Sequence, residues 1–90
     1  MNRIEEIINH YGRTAQIYKC IEELQELEKA LDEYCINQNF TDDVIDELAD
    51  VTIMVQQLVT SFGQEAVEER IKFKLDRQMR RINEDLQHLR

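Results

Sequence analysis

Two short acidic motifs contain the residues of this 90-residue chain that are best suited to chemistry. Residues 22–27 (EELQEL) and 46–51 (DELADV) share one pattern: two acids, an apolar residue, a variable residue, a third acid and an apolar residue. Side chains three positions apart on a helix are neighbours on one face. If both segments are helices that fold back on each other, four carboxylates can converge. These carboxylates belong to Glu23, Glu26, Glu47 and Asp50.

The second motif has no basic partner nearby. Between Lys29 and Arg70 the chain contains neither lysine nor arginine. The helix dipole stabilises acids only in the first helical turn, and Glu47 and Asp50 lie beyond that turn. Partly buried carboxylates repel one another, and their desolvation is costly unless a cation compensates it. The first motif alone is more typical of a solvated helix face, because Lys19 and Lys29 can pair with its acids.

The composition of the acidic cluster indicates which cation it would bind. Oxygen ligands without nearby histidine or cysteine favour Mg²⁺, with Mn²⁺ as an alternative, over Zn²⁺. Mg²⁺ in proteins typically bridges carboxylates to phosphate groups. The pattern therefore predicts a phosphorylated substrate.

Apolar residues recur at helical spacing along the chain, which predicts an all-α fold. The expected helices cover residues 2–11, 14–37, 42–62 and 64–89. Gly12 and Gly63 are predicted to end the first and third helices, while Thr14 and Thr41 are predicted to cap the second and third. The sequence has no proline, as expected for long helices with few turns.

The second and third helices are predicted to pack as an antiparallel hairpin along an apolar seam. The predicted seam residues are Ile17, Cys20, Leu24, Leu27, Leu31 and Tyr34 on one helix, and Val44, Leu48, Val51, Val55, Leu58 and Phe62 on the other. The third helix has further apolar residues off this seam, including Ile45 and Ile53, so it should be buried on more than one side. In so short a chain the second cover is expected from another subunit. The predicted architecture is an antiparallel helical bundle completed by oligomerisation.

Length and charge limit the functional classes. Ninety residues make one domain, residues 1–90. A net charge of −8 disfavours a nucleic acid polymer as partner, because such binding depends on Lys and Arg neutralising phosphates. No run of about 18 apolar residues is present, so no membrane span is expected. The N-terminus has no hydrophobic signal core, which favours a cytoplasmic location.

Residues 22–26, the next twenty positions and residues 47–50 together resemble the MazG-like, all-α nucleoside triphosphate pyrophosphohydrolases, in their compact single-domain bacterial and phage form. The similarity covers residues 14–82. It implies hydrolysis of a (deoxy)nucleoside triphosphate between the α and β phosphates, which gives the monophosphate and pyrophosphate. It also implies a helical homodimer or homotetramer.

The same resemblance implies roles for individual residues. Mg²⁺ would be held by Glu23, Glu26, Glu47 and Asp50, and Glu22 would support the site or help to activate the attacking water. The substrate would be contacted by Gln16, Lys19, Lys74 and Arg77. The segment around Lys74 departs from the family pattern, because the usual asparagine is absent and Gln78 lies near its place.

Two other interpretations are compatible with the sequence. One is a non-catalytic helical oligomer, an interaction module whose acids are only a solvated surface. The other is a related enzyme that prefers nucleoside diphosphates or a modified nucleotide.

Overall fold

The computed structural model describes residues 1–89, and within this range the chain is all-α, as predicted. The four helices are α1 (Arg3–Tyr11), α2 (Arg13–Ile36), α3 (Thr41–Phe62) and α4 (Gln64–His88), with a short 3-10 turn at Gln38–Phe40 between α2 and α3. No helix in this range has the length and apolarity needed to span a membrane.

The helix ends depend on two glycines, while the predicted threonine caps are wrong. Gly12 and Gly63 have φ angles of +91° and +125°, which a residue without a Cβ adopts most readily, so α1 and α3 end where predicted. Each glycine is also the sole residue before the next helix. Thr14 therefore lies inside α2, which has no side-chain cap. Thr41 is the first residue of α3, and its Oγ1 donates a hydrogen bond of 2.7 Å to the Gln38 carbonyl.

Helices α2 and α3 form the antiparallel hairpin that the sequence predicts. Their direction is fixed at one end by Gln16, near the start of α2, which hydrogen-bonds Gln57, near the end of α3. The buried residues of the hairpin are Gln16, Cys20, Glu23, Ala30, Val51, Met54 and Gln57. The contact is heptad-like, with buried positions three and four residues apart.

The predicted seam is partly wrong. Cys20 and Val51 are buried as predicted, but at four other predicted positions the preceding residue is the more buried one. The predicted seam residues Leu24, Leu31, Leu48 and Val55 are 42–46% exposed. The contact instead takes in Glu23 and Ala30 on α2, while Glu47 on α3 is half-buried. Residues of the hairpin contact thus include two carboxylates, which places charged groups where an ordinary helix pair would be apolar.

This shift gives the hairpin two chemically different sides. Residues one position after a buried or half-buried residue form an apolar flank, defined as Leu24, Leu31, Leu48 and Val55. Residues one position before a buried or half-buried residue form an acidic flank, defined as Glu26, Glu33, Asp43 and Asp50. On a helix wheel these two sets lie on opposite sides of the buried line.

Helix α4 projects from the hairpin. Within residues 1–89 it packs on no helix other than α3. The chain measures 55 × 38 × 19 Å and has a radius of gyration of 17.2 Å, whereas a compact domain of this length has about 12 Å. One chain is therefore a hairpin with α1 packed on it and one extended arm.

Candidate metal centre

Three carboxylates from the two acidic motifs converge on the hairpin. Glu23 and Glu26 are one turn apart on α2, and Glu47 faces them from α3. One oxygen from each lies within 4.8 Å of the others. Oxygen ligands of one Mg²⁺ ion lie about 2.9–4.2 Å apart, given metal–oxygen distances of about 2.0–2.1 Å and octahedral geometry. The observed separations, up to 4.8 Å, are therefore close to those around a single ion.

The burial of two of these carboxylates, Glu23 and Glu47, fits a cation site better than a solvated face, whereas Glu26 is exposed. Glu23 is only 8% exposed. Its Oε2 atom and the Oε2 atom of Glu47 are buried, and neither has a hydrogen-bond partner among the described residues. A buried acceptor without a partner costs free energy. Two such oxygens beside a third carboxylate would be stabilised by a cation. Since all candidate ligands are oxygens, Mg²⁺ or Mn²⁺ fits the donor set.

Asp50 adds charge to the cluster, but it is not one of the three converging carboxylates. Burial raises the pKa of the Glu47 carboxyl above its ordinary value, and the charges of Glu26, Asp50 and Glu23 raise it further. Asp50 is thus close enough to act on Glu47. The structure brings together three of the four predicted ligands and places Asp50 beside them.

The crowding of these acids predicts a stability effect in the absence of divalent cations. The folded chain holds the Glu47 proton more tightly than the unfolded chain does, so stability should fall as the pH rises from the ordinary pKa of 4.5 through the raised value. Glu47→Gln removes this loss and should raise the melting temperature at pH 7. Thermal denaturation from pH 4 to pH 8 with EDTA measures both effects.

The matched control for this experiment is Glu28→Gln, the same change at an exposed acid on α2. It should leave the pH dependence of the melting temperature unchanged. An equal or lower melting temperature for Glu47→Gln at pH 7 would show that the carboxylates do not destabilise one another.

Lys19 orients the most buried of the three carboxylates. Its Nζ lies 3.2 Å from Glu23 Oε1 and 3.6 Å from Glu22 Oε2. The hydrogen bond with Glu23 raises the pKa of Lys19, and the charge of Glu22 adds to the shift. One oxygen of Glu23 therefore faces Lys19 while the other has no donor. Glu22, the predicted catalytic residue, is exposed and lies next to the cluster as the second partner of Lys19.

An open cavity of about 420 Å³ adjoins the cluster. Its lining residues are Glu26, Lys29, Ala30, Glu33, Asp43 and Glu47. Lys29, Glu33 and Asp43 were not among the site residues predicted from the sequence. Helical spacing could have identified the two acids, since Glu33 lies seven residues after Glu26 and Asp43 lies four residues before Glu47, on the same helix faces. Lys29 is the only basic residue in the lining.

The other predicted substrate contacts lie away from this cavity. Gln16 is buried, and its Nε2 donates a hydrogen bond of 2.8 Å to Gln57 Oε1. Lys74 and Arg77 belong to α4, from which no residue lines the cavity. The Arg77 guanidinium lies 6.0 Å from the centre of the Phe73 ring on its own helix.

Comparison with known proteins does not assign the chain to a family. No protein-family model matches it, and neither a curated protein nor a solved structure is significantly similar to it.

Proposed function

We propose that the protein is a Mg²⁺-dependent nucleoside triphosphate pyrophosphohydrolase. The observation that supports this proposal most directly is the pair of buried, partnerless oxygens on Glu23 and Glu47, which lie beside Glu26. These residues belong to the two motifs that resemble those of the MazG-like enzymes. A hard cation at this place suits a substrate with several phosphate oxygens.

Each residue of the cluster has a defined task in this proposal. Glu23, Glu26 and Glu47 hold Mg²⁺, and Asp50 adds negative charge or a fourth ligand. When bound, the ion polarises a phosphate oxygen and lowers the pKa of water. Glu22 is exposed beside the cluster and accepts a proton from the attacking water. The water oxygen bonds to the α-phosphorus, the bond from that phosphorus to the α–β bridging oxygen breaks, and pyrophosphate leaves.

Basic residues on α2 provide phosphate contacts within one protomer. Lys29 lines the cavity and Lys19 lies beside Glu23, so both can neutralise phosphate charge near the cluster. The resemblance also implies phosphate contacts by Lys74 and Arg77. Because no residue of α4 lines the cavity, we assign the contacts within one protomer to Lys19 and Lys29.

Product analysis tests the proposed reaction. The protein is incubated with Mg²⁺ and each of a panel of ribo- and deoxyribonucleoside triphosphates, and the release of pyrophosphate and monophosphate is measured. We expect equal amounts of the two products from at least one nucleotide, and none with EDTA. Release of inorganic phosphate instead would indicate cleavage at another bond. Nucleoside diphosphates and modified nucleotides in the same panel test whether the protein is a related enzyme that prefers one of them.

A second candidate function is a non-catalytic homo-oligomeric interaction module. The exposed apolar flank favours it, since contiguous apolar surface marks interaction sites. The absence of turnover with every nucleotide, together with the absence of divalent-cation binding, would support the module and contradict the enzyme. The two functions share the expectation that the chain forms a homodimer or homotetramer.

A further inference from the structure

Two apolar surfaces of the chain are 42–60% exposed among the described residues. The first is the apolar flank of the hairpin. The second is a row along α4, 47–60% exposed, which we call the α4 row. It consists of Ile71, Leu75, Met79, Ile82 and Leu86. From Leu75 onward its spacing alternates between four and three residues, as in helices that pack along a heptad seam.

The accessible surface of the chain is larger than that of a compact protein of the same mass. Its accessible surface is 7575 Å², whereas a compact protein of 10.8 kDa has about 5,500 Å². The excess is roughly 2,000 Å² per chain. Two chains that bury this excess together would hide roughly 4,000 Å², which lies within the range of obligate homodimers.

The connector at Gly63 prevents α4 from covering the flank of its own chain. Antiparallel helices that pack side by side are joined by loops of about two to five residues. Here α3 ends at Phe62 and α4 begins at Gln64, so Gly63 alone separates them. The α4 helix therefore leads away from its own hairpin, and its apolar row needs a surface on another molecule. Short hinge loops of this kind favour exchange of identical elements between protomers.

We propose that two copies of this chain exchange α4, so that the α4 row of each packs on the apolar flank of the other. A two-fold dimer of this type covers both apolar surfaces on both chains in one reciprocal contact. Pairing flank with flank alone, or α4 with α4 alone, would leave the other surface exposed. The exchange does not depend on the metal site or on the proposed reaction.

Lengthening the hinge tests the exchange. Insertion of Gly-Ser-Gly-Ser after Gly63 gives α4 a loop long enough to fold back on the flank of its own chain. By light scattering coupled to size-exclusion chromatography, we expect the wild type at twice the chain mass of 10.8 kDa and the insertion variant at half the wild-type mass. The same insertion after Asn39, in the connector between α2 and α3, should leave the dimer intact. A monomeric wild type, or an unchanged mass after the Gly63 insertion, would overturn the exchange.

Cross-linking tests the contact directly in chains without an inserted loop. The exposed Cys35 is first replaced by serine, while the buried Cys20 is kept. In this background, Leu31→Cys and Met79→Cys chains of different mass are mixed and refolded. The mixture is then treated with a short bifunctional maleimide. We expect covalent dimers that contain one chain of each kind. Covalent dimers of Met79→Cys with itself, or of Leu31→Cys with itself, in place of the mixed product would contradict the exchange.

Discussion

The Glu23→Gln protein is expected to release pyrophosphate at least about 100-fold more slowly than wild type, since even outer-sphere partners of a metal contribute about 10–100-fold. Glu23 is the most buried carboxylate of the cluster, and one of its oxygens is held by Lys19 while the other has no donor. The amide keeps the size of the side chain but removes its charge. It thereby weakens the attraction of the site for a divalent cation.

The control for this variant is Glu28→Gln, which changes an exposed acid on the same helix and should retain wild-type turnover. Circular dichroism should show the same helix content for both variants. Near-normal turnover by a folded Glu23→Gln protein would exclude this cluster as the reacting site, even if the enzyme hydrolyses nucleotides.

The Gln57→Leu protein is expected to lose about 1–3 kcal/mol of stability, the cost of leaving a buried polar group without its hydrogen-bond partner. Gln57 is 1% exposed, and its Oε1 accepts the 2.8 Å hydrogen bond from Gln16. Leucine fills a similar volume, so the main loss is the hydrogen bond of the buried Gln16 amide. Urea denaturation followed by circular dichroism measures the change.

The double variant Gln16→Leu/Gln57→Leu should recover most of this loss, because replacing both partners by apolar groups removes the unsatisfied donor. The coupling between the two positions follows from a double-mutant cycle. Additive losses would mean that the two amides do not act as a pair in fixing the ends of the hairpin.

Much of the fold could be predicted from the sequence because local signals determine it. The four helices follow from apolar periodicity, and Gly12 and Gly63 end helices because their positive φ angles suit glycine. The threonine caps could not be predicted correctly. The residue that caps a helix is the one at which the preceding connector ends. Before α2 that connector is Gly12 alone, which has no side chain to form a cap.

The packing of the hairpin was harder to predict, since hydrophobicity places Leu24 inside and Glu23 outside. In the structure the order is reversed, and Glu23 is buried while Leu24 is nearly half exposed. Apolar periodicity cannot distinguish two adjacent helix faces when both contain apolar residues. The repeated acidic motif nevertheless predicted that Glu23, Glu26 and Glu47 come together, because residues three apart share a helix face and the two motifs lie on helices that fold back on each other.

The direction of α4 could not be deduced from the sequence either. Periodicity predicts a helix at 64–89 but does not say which surface covers it. The one-residue connector at Gly63 sets this direction, and it also leaves Lys74 and Arg77 outside the cavity of their own chain.

Whether α2 and α3 share a divalent cation is best tested by Mn²⁺ binding in the absence of nucleotide, measured from the electron paramagnetic resonance signal of the free ion. We expect saturable binding by the wild type and by Glu28→Gln, and binding weaker by at least about 10-fold for Glu47→Gln. A wild type that leaves all Mn²⁺ free, or a Glu47→Gln protein that binds it as tightly as the wild type, would contradict a shared cation between α2 and α3.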